Sequence, residues 1–169
     1  MVLCVDAGNT NIVLGGYEGQ TLAFLSRIAT QPALEADQYA LQLEGVLALH
    51  GAARPQGAIL SSVVPPVTGA LRGALHLLCG AQPLVLSRAL CPRLPILIDN
   101  PDELGADLLA GAIAARARCR MPAVVIDMGT ATKLTALDAA GAVQGVSILP
   151  GMMVSLNALI SGASQLSAV

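Results

Sequence analysis

Residues 2–15, VLCVDAGNTNIVLG, run an apolar strand into Asp6, turn on Gly8-Asn9-Thr10, and leave as a second apolar strand. The plan recurs at residues 124–137, VVIDMGTATKLTAL. Asp127 answers Asp6 and Gly129 answers Gly8, each 121 residues on. Each copy continues through a turn, at Gly19 and at Gly141, into a third strand. Two meanders that each open on Asp-x-Gly predict a duplicated α/β unit. The period is too long for a solenoid repeat.

An aspartate at the end of a strand projects its carboxylate where the ladder stops. The glycine after it lets backbone approach a ligand closely. The Asn and Thr side chains and loop N–H groups that follow can hold phosphate oxygens. A carboxylate beside a phosphate is repulsive unless a cation lies between them, which implies Mg²⁺. Two such hairpins could hold a triphosphate from both sides, and phosphoryl transfer is largely positioning and charge stabilisation. A single DxGNT reads more readily as an Asx-type turn with no ligand. The second copy, in the same strand context, reverses that preference. No GxxxxGK[ST] loop is present.

Composition narrows the alternatives. The chain has 169 residues, 54% hydrophobic, 12% charged and 2% aromatic, with formal net charge −2. A core of Leu, Val, Ile and Ala is expected. There is no basic run to bind nucleic acid. The mean hydropathy of +0.69 raises the question of a membrane span. The longest uncharged stretch, 139–169, is broken by Pro150-Gly151, and Asp6 sits where a signal peptide would be apolar. A cytoplasmic protein with no membrane partner is expected. Cys4, Cys79, Cys91 and Cys119 show no CxxC spacing, and His50 and His76 lie far apart. Free thiols and structural or surface histidines are therefore expected rather than a metal cluster.

The remaining elements are expected as follows. Strands fall at 2–5, 11–17 and 21–29, a helix over 36–50, and a buried strand over 56–63 that ends in Val64-Pro65-Pro66. A helix over 67–79 and a short strand at 83–86 come next. A proline-punctuated loop surrounds Ile96-Leu97-Ile98. Asn100-Pro101-Asp102-Glu103 reads as a helix start, with N-cap, N1 proline and acids at the positive end of the dipole. That helix runs from Leu104 to about Arg118. Strands at 123–127, 132–137 and 143–148 precede a helix over 152–160, and SGASQLSAV at 161–169 shows no clear pattern.

An acceptor hydroxyl needs a base, and Asp107 is the candidate. It would lie one turn after Glu103 on the same helix face, with Leu104, Leu108 and Leu109 around it. Partial desolvation would raise its pKa toward that of a useful base. An exposed helix acid is the competing reading, and Glu103 reads as a helix-start acid.

With these pieces together, the chain resembles the type III pantothenate kinases of the acetate/sugar kinase, heat-shock and actin superfamily. The matching segments are DAGNTNIVLG (6–15), SSVVP (61–65), NPDELGAD (100–107), IDMGTAT (126–132) and GVSILPGMMVSLNAL (145–159). The resemblance implies a duplicated ribonuclease H-like, actin-like ATPase fold with mixed sheets and flanking helices. Residues 1–118 would form the first domain and 119–169 an incomplete second one. It implies ATP-dependent phosphorylation of pantothenate to 4′-phosphopantothenate, the first step of coenzyme A biosynthesis, by a homodimer. Asp6 would serve Mg²⁺ and ATP, with Gly8, Asn9 and Thr10 around the phosphates. Gly129, Thr130 and Thr132 would form the second phosphate loop. Asp127 would bind a monovalent cation, K⁺ or NH₄⁺. Asp107 would be the general base, with Gly105, Ala106, Leu108 and Ile98 on the substrate side.

Four features depart from the family pattern. Leu108 stands where an Arg often helps bind the pantothenate carboxylate. Ile98 stands where an aromatic is common. Lys133 replaces a small residue; by alternation it shares a face with Ala131 and Thr135, where it would reach a phosphate or snorkel to solvent. The family runs to about 250 residues by resemblance, so a truncated chain with an exposed sheet edge and apolar face is expected. Two other readings stay open: a non-catalytic nucleotide-binding relative, and a kinase of the same superfamily for another hydroxylated small molecule.

Overall fold

A computed structural model describes residues 1–162. Residues 163–169, most of the SGASQLSAV stretch, lie outside the described residues. The described chain divides into two compact units. One comprises Met1–Leu90 with Gly105–Leu109, and the other Cys91–Leu104 with the residues from Ala110 onward. The division by contact thus runs through a helix after Leu109, whereas the expected boundary at 118 is a division along the chain.

The first unit is built on β1 (Val2–Ala7), β2 (Asn11–Glu18), β3 (Thr21–Ala29), α1 (Ala36–Leu49), β4 (Gly57–Ser62), α2 (Pro65–Cys79) and β5 (Leu84–Val85). The sheet order is β3-β2-β1-β4-β5. The meander β1–β3 is antiparallel, while β4 runs parallel to β1 and β5 parallel to β4. Alternation decides the faces. Leu3, Val5 and Ala7 of β1 are buried with Leu60 of β4 and with Leu43, Leu71 and Leu75 of α1 and α2. Cys4 and Asp6 therefore occupy the other face. Tyr39 of α1 is fully buried, and its hydroxyl donates to the Gln31 carbonyl at 2.8 Å, fixing the chain just after β3. His50 stacks on Phe24 with ring centroids 4.7 Å apart, a structural role.

Two boundaries differ from expectation for local reasons. Pro65 and Pro66 do not close the strand; they form the first turn of α2, where a missing N–H costs nothing. The helix expected from Asn100 is interrupted. Pro101–Glu103 form a single 3-10 turn, Asn100 makes no side-chain cap, and Leu104 is extended at ψ 113°. The α-helix α3 starts only at Ala106 and runs to Arg118. Glu103 and Asp107 therefore do not share a helix face. Leu104 is both buried and extended, and the helix resumes only after Gly105.

The second unit holds the antiparallel meander β6 (Ala123–Met128), β7 (Ala131–Leu137) and β8 (Val143–Pro150), followed by α4 (Met152–Gly162). Ile96, in the expected proline-punctuated loop, bridges Val143 in parallel, and Leu97 N–H donates to the Val143 carbonyl at 2.8 Å. The remainder of α3 belongs to this unit, and Arg116 donates to the Arg93 carbonyl at 2.7 Å. Among the described residues β6 pairs only with β7, and Val124, Ile126 and Met128 lie exposed along one of its faces, in line with the expected edge and apolar face.

Candidate functional site

The first loop is held by its neighbours. Asp6 and Ser61 stand directly opposite each other in the parallel β1–β4 register. The buried Ser61 donates its hydroxyl to Asp6 Oδ1 at 2.8 Å, while Asp6 itself is exposed. The turn closes with Gly8 N–H donating to the Asn11 carbonyl at 3.0 Å. Thr30, just past β3, then binds the loop twice. Its hydroxyl donates to the Gly8 carbonyl at 2.7 Å, and its N–H donates to the Thr10 carbonyl at 3.0 Å. Two acceptor oxygens of the loop are thereby committed to Thr30.

The second loop repeats the plan with one residue fewer. Four residues, 8–11, separate the paired Ala7 and Ile12; three, 129–131, separate Met128 and Thr132. Gly129 N–H donates to the Ala131 carbonyl at 3.1 Å. Gly151 follows β8 as Thr30 follows β3, and its N–H donates to the Thr130 carbonyl at 3.0 Å. A Cβ on Gly151 would collide with the carbonyl oxygens of Gly129 and Thr130. Glycine is required there because the backbone itself is the packing partner. Gly129 and Thr130 are exposed and Thr132 is half-buried. Asp127 Oδ2 pairs with Lys133 Nζ at 2.6 Å, so Lys133 neither simply snorkels nor stands alone.

The base candidate comes to the same end of the first sheet as Asp6. Asp107, half-buried in the first turn of α3, folds its Oδ1 back to accept from Leu108 N–H at 2.8 Å. A Cβ on Gly105 would lie 2.6 Å from that oxygen and 3.6 Å from Val63 Cγ1. Val63 N–H in turn donates to the Ala7 carbonyl at 3.1 Å. Asp107 Oδ1 and Val63 thus both border the space beside Gly105, and Val63 is bonded to Ala7, the neighbour of Asp6. That bonded pair sits at the carboxyl ends of the parallel strands β1 and β4, where ligands of α/β sheets gather. Ala106 is half-buried beside Asp107, and Leu108 is buried at 8% exposure, so it offers no polar group. Ile98 is half-buried in the second unit.

Ser61, Thr30 and Gly151 were not singled out from sequence. Ser61 lies inside the SSVVP segment and Gly151 inside the last matching segment, yet their roles depend on strand register. Superposing the repeats would have found Thr30 and Gly151, which share the 121-residue offset of the Asp pair. Cys4 shares the Asp6 face of β1, and burial pushes its thiol pKa up, so it is a poor nucleophile. Among the described residues, no group of three or more His, Cys, Asp or Glu could hold a metal ion by itself. No helix among them is long and apolar enough to cross a membrane.

Comparison with known proteins gives a consistent picture. The family model described as type III pantothenate kinase matches residues 2–169. A type III pantothenate kinase of Syntrophotalea carbinolica is 42% identical, and one of Geobacter sulfurreducens 38%, each over the whole of this chain. The chain spans about two thirds of the length of these curated relatives, 67% of each. Among solved structures, a Baf family protein of Campylobacter jejuni aligns with TM-score 0.58 at 17% identity, over 98% of this chain and 63% of that one. The activator of the 2-hydroxyisocaproyl-CoA dehydratase from Clostridium difficile aligns with TM-score 0.52 at 13% identity, over 88% of this chain and 45% of that one. These likenesses show the expected duplicated α/β, actin-like ATPase fold.

Proposed function

The chain belongs to the type III pantothenate kinase family, and from that premise we propose that it phosphorylates pantothenate with ATP, forming 4′-phosphopantothenate for coenzyme A biosynthesis. The observation that carries this is that Asp107 and Val63 border the same space beside Gly105, with Val63 bonded to Ala7 beside the Asp6 loop. It joins a candidate base to a phosphate-type loop within one compact unit.

In this reading Asp107 takes the proton of the pantothenate hydroxyl, whose oxygen forms the new bond to the γ-phosphorus of ATP while the bond to ADP breaks. Gly8, Asn9 and Thr10 form the phosphate loop of the first unit, and Gly129, Thr130 and Thr132 its counterpart in the second. Asp6 fits Mg²⁺: it is exposed, its oxygens are hard donors, and the Ser61 hydroxyl holds only one of them. Bound Mg²⁺ would neutralise phosphate charge. The reading extends to a homodimer in the cytoplasm.

Incubation with ATP, Mg²⁺ and pantothenate, followed by detection of phosphopantothenate, tests the proposal. Product formation abolished by Asp107→Asn supports it; ATP-dependent product with the Asn variant unimpaired would remove Asp107 from its role. A second reading, a kinase for another hydroxylated acid or alcohol, is favoured by the apolar Leu108. An acceptor screen in which pantothenate gives the highest kcat/KM disposes of it.

A further inference from the structure

The two hairpins differ at one decisive position. Across the first, the residue opposite Asp6 is Val13; across the second, the residue opposite Asp127 is Lys133. Because the second loop is one residue shorter, Lys133 is the register equivalent of Val13. Direct opposition on an antiparallel pair places the two side chains on one face at close range. A slip by one residue would flip Lys133 to the other face, and the β6–β7 pairing over Ala123–Met128 and Ala131–Leu137 prevents that. The result is Lys133 Nζ 2.6 Å from Asp127 Oδ2, with the lysine only 19% exposed and the aspartate 53%.

A monovalent cation on Asp127 does not fit this arrangement. The carboxylate already carries a full positive charge in contact with one of its oxygens. A potassium ion on the other oxygen would lie within a few ångströms of that ammonium and be repelled by it. Ammonium on a tether and potassium in solution supply the same charge, and the tethered one loses little translational freedom on binding.

We propose that Lys133 is a built-in cation at Asp127, and that the second phosphate loop of this protein therefore works without K⁺ or NH₄⁺. The proposal deepens the kinase reading, since it concerns the cation beside that loop. Its first test needs neither nucleotide nor turnover, so a failed kinase assay leaves it intact.

The test compares thermal unfolding of the whole chain in potassium chloride and in tetramethylammonium chloride at equal ionic strength. The unsubstituted protein is expected to melt at the same temperature in both. Lys133→Thr, and Lys133→Met as a variant that keeps an apolar stem, are expected to gain a K⁺-specific rise of roughly 2–4 °C. Adding Asp127→Asn is expected to abolish that rise. Mg-ATP affinity by calorimetry should follow the same pattern, salt-independent in the parent and several-fold tighter in K⁺ for the Lys133 variants. A K⁺-specific stabilisation of the unsubstituted protein would overturn the proposal, and that arm decides even if both variants fail to fold. Folded Lys133 variants indifferent to K⁺ would overturn it as well.

Discussion

Ser61 donates its hydroxyl to Asp6 Oδ1 at 2.8 Å, across two parallel strands that hold the two residues in direct register. Ser61 is buried and Asp6 exposed, so the bond fixes the carboxylate's direction more than it stabilises the fold. Ser61→Ala is expected to cost about 1 kcal/mol of stability or less, since Asp6 can rehydrate. Mg-ATP affinity should fall several-fold with a raised Mg²⁺ requirement. Urea unfolding and calorimetry check the two effects separately.

Asp107→Asn keeps the shape of the side chain and removes the proposed base. Turnover is expected to drop about 10²–10⁴-fold with Mg-ATP affinity nearly unchanged. Gly105→Ala approaches the same site indirectly. Its Cβ would lie 2.6 Å from Asp107 Oδ1, so the carboxylate must move. A fall in kcat larger than the change in melting temperature is the expected signature, read by steady-state kinetics beside a thermal scan.

Gly151→Ala puts a methyl group into the backbone of Gly129 and Thr130. Backbone cannot swing aside as a side chain can, and overpacking of this kind costs about 1–3 kcal/mol. Gly145→Ala, on the strand β8 that Gly151 follows and with nothing within 4 Å of its Cβ, is the matched control. Chemical denaturation should separate the two variants clearly, and equal stabilities would show that the second loop adapts.

Asp138 organises the turn between β7 and β8. The Ala142 N–H holds its carboxyl below the ordinary range, helped by the Gln144 side chain and the Ala140 and Gly141 N–H groups, against a smaller opposing effect of burial. A lowered folded pKa means the turn's stabilisation is complete above the unfolded value, about 3.9. It is lost as pH falls through the lower folded value. Hydrogen exchange at the Ala142 amide should accelerate, relative to its intrinsic rate, across that acidic window. Asp138→Ala should remove the dependence by exposing the amide at every pH.

The exposed side chains Val124, Ile126 and Met128 line an edge strand, a template for pairing with another chain. Val124→Lys with Ile126→Lys should reduce self-association without lowering the melting temperature, because neither residue is in a core. Light scattering against concentration measures this.

The sequence by itself determined the duplicated hairpins, the Asp-x-Gly loops, most strand positions and the family. Those features are local: alternation, turn residues and motif spacing are legible within a dozen residues. Even so, the continuous helix expected from Asn100 is interrupted at Leu104, which is buried and extended despite the capping pattern before it. Only tertiary structure decided what each loop leans on. Ser61 meets Asp6 across 55 positions and Thr30 meets Gly8 across 22, through strand register and turn length rather than nearness in sequence. Alternation placed Lys133 on a face; the loss of one loop residue put it opposite Asp127. A one-residue change in a loop is small in sequence, but in a sheet it decides which side chains touch, because the pleat repeats every two residues.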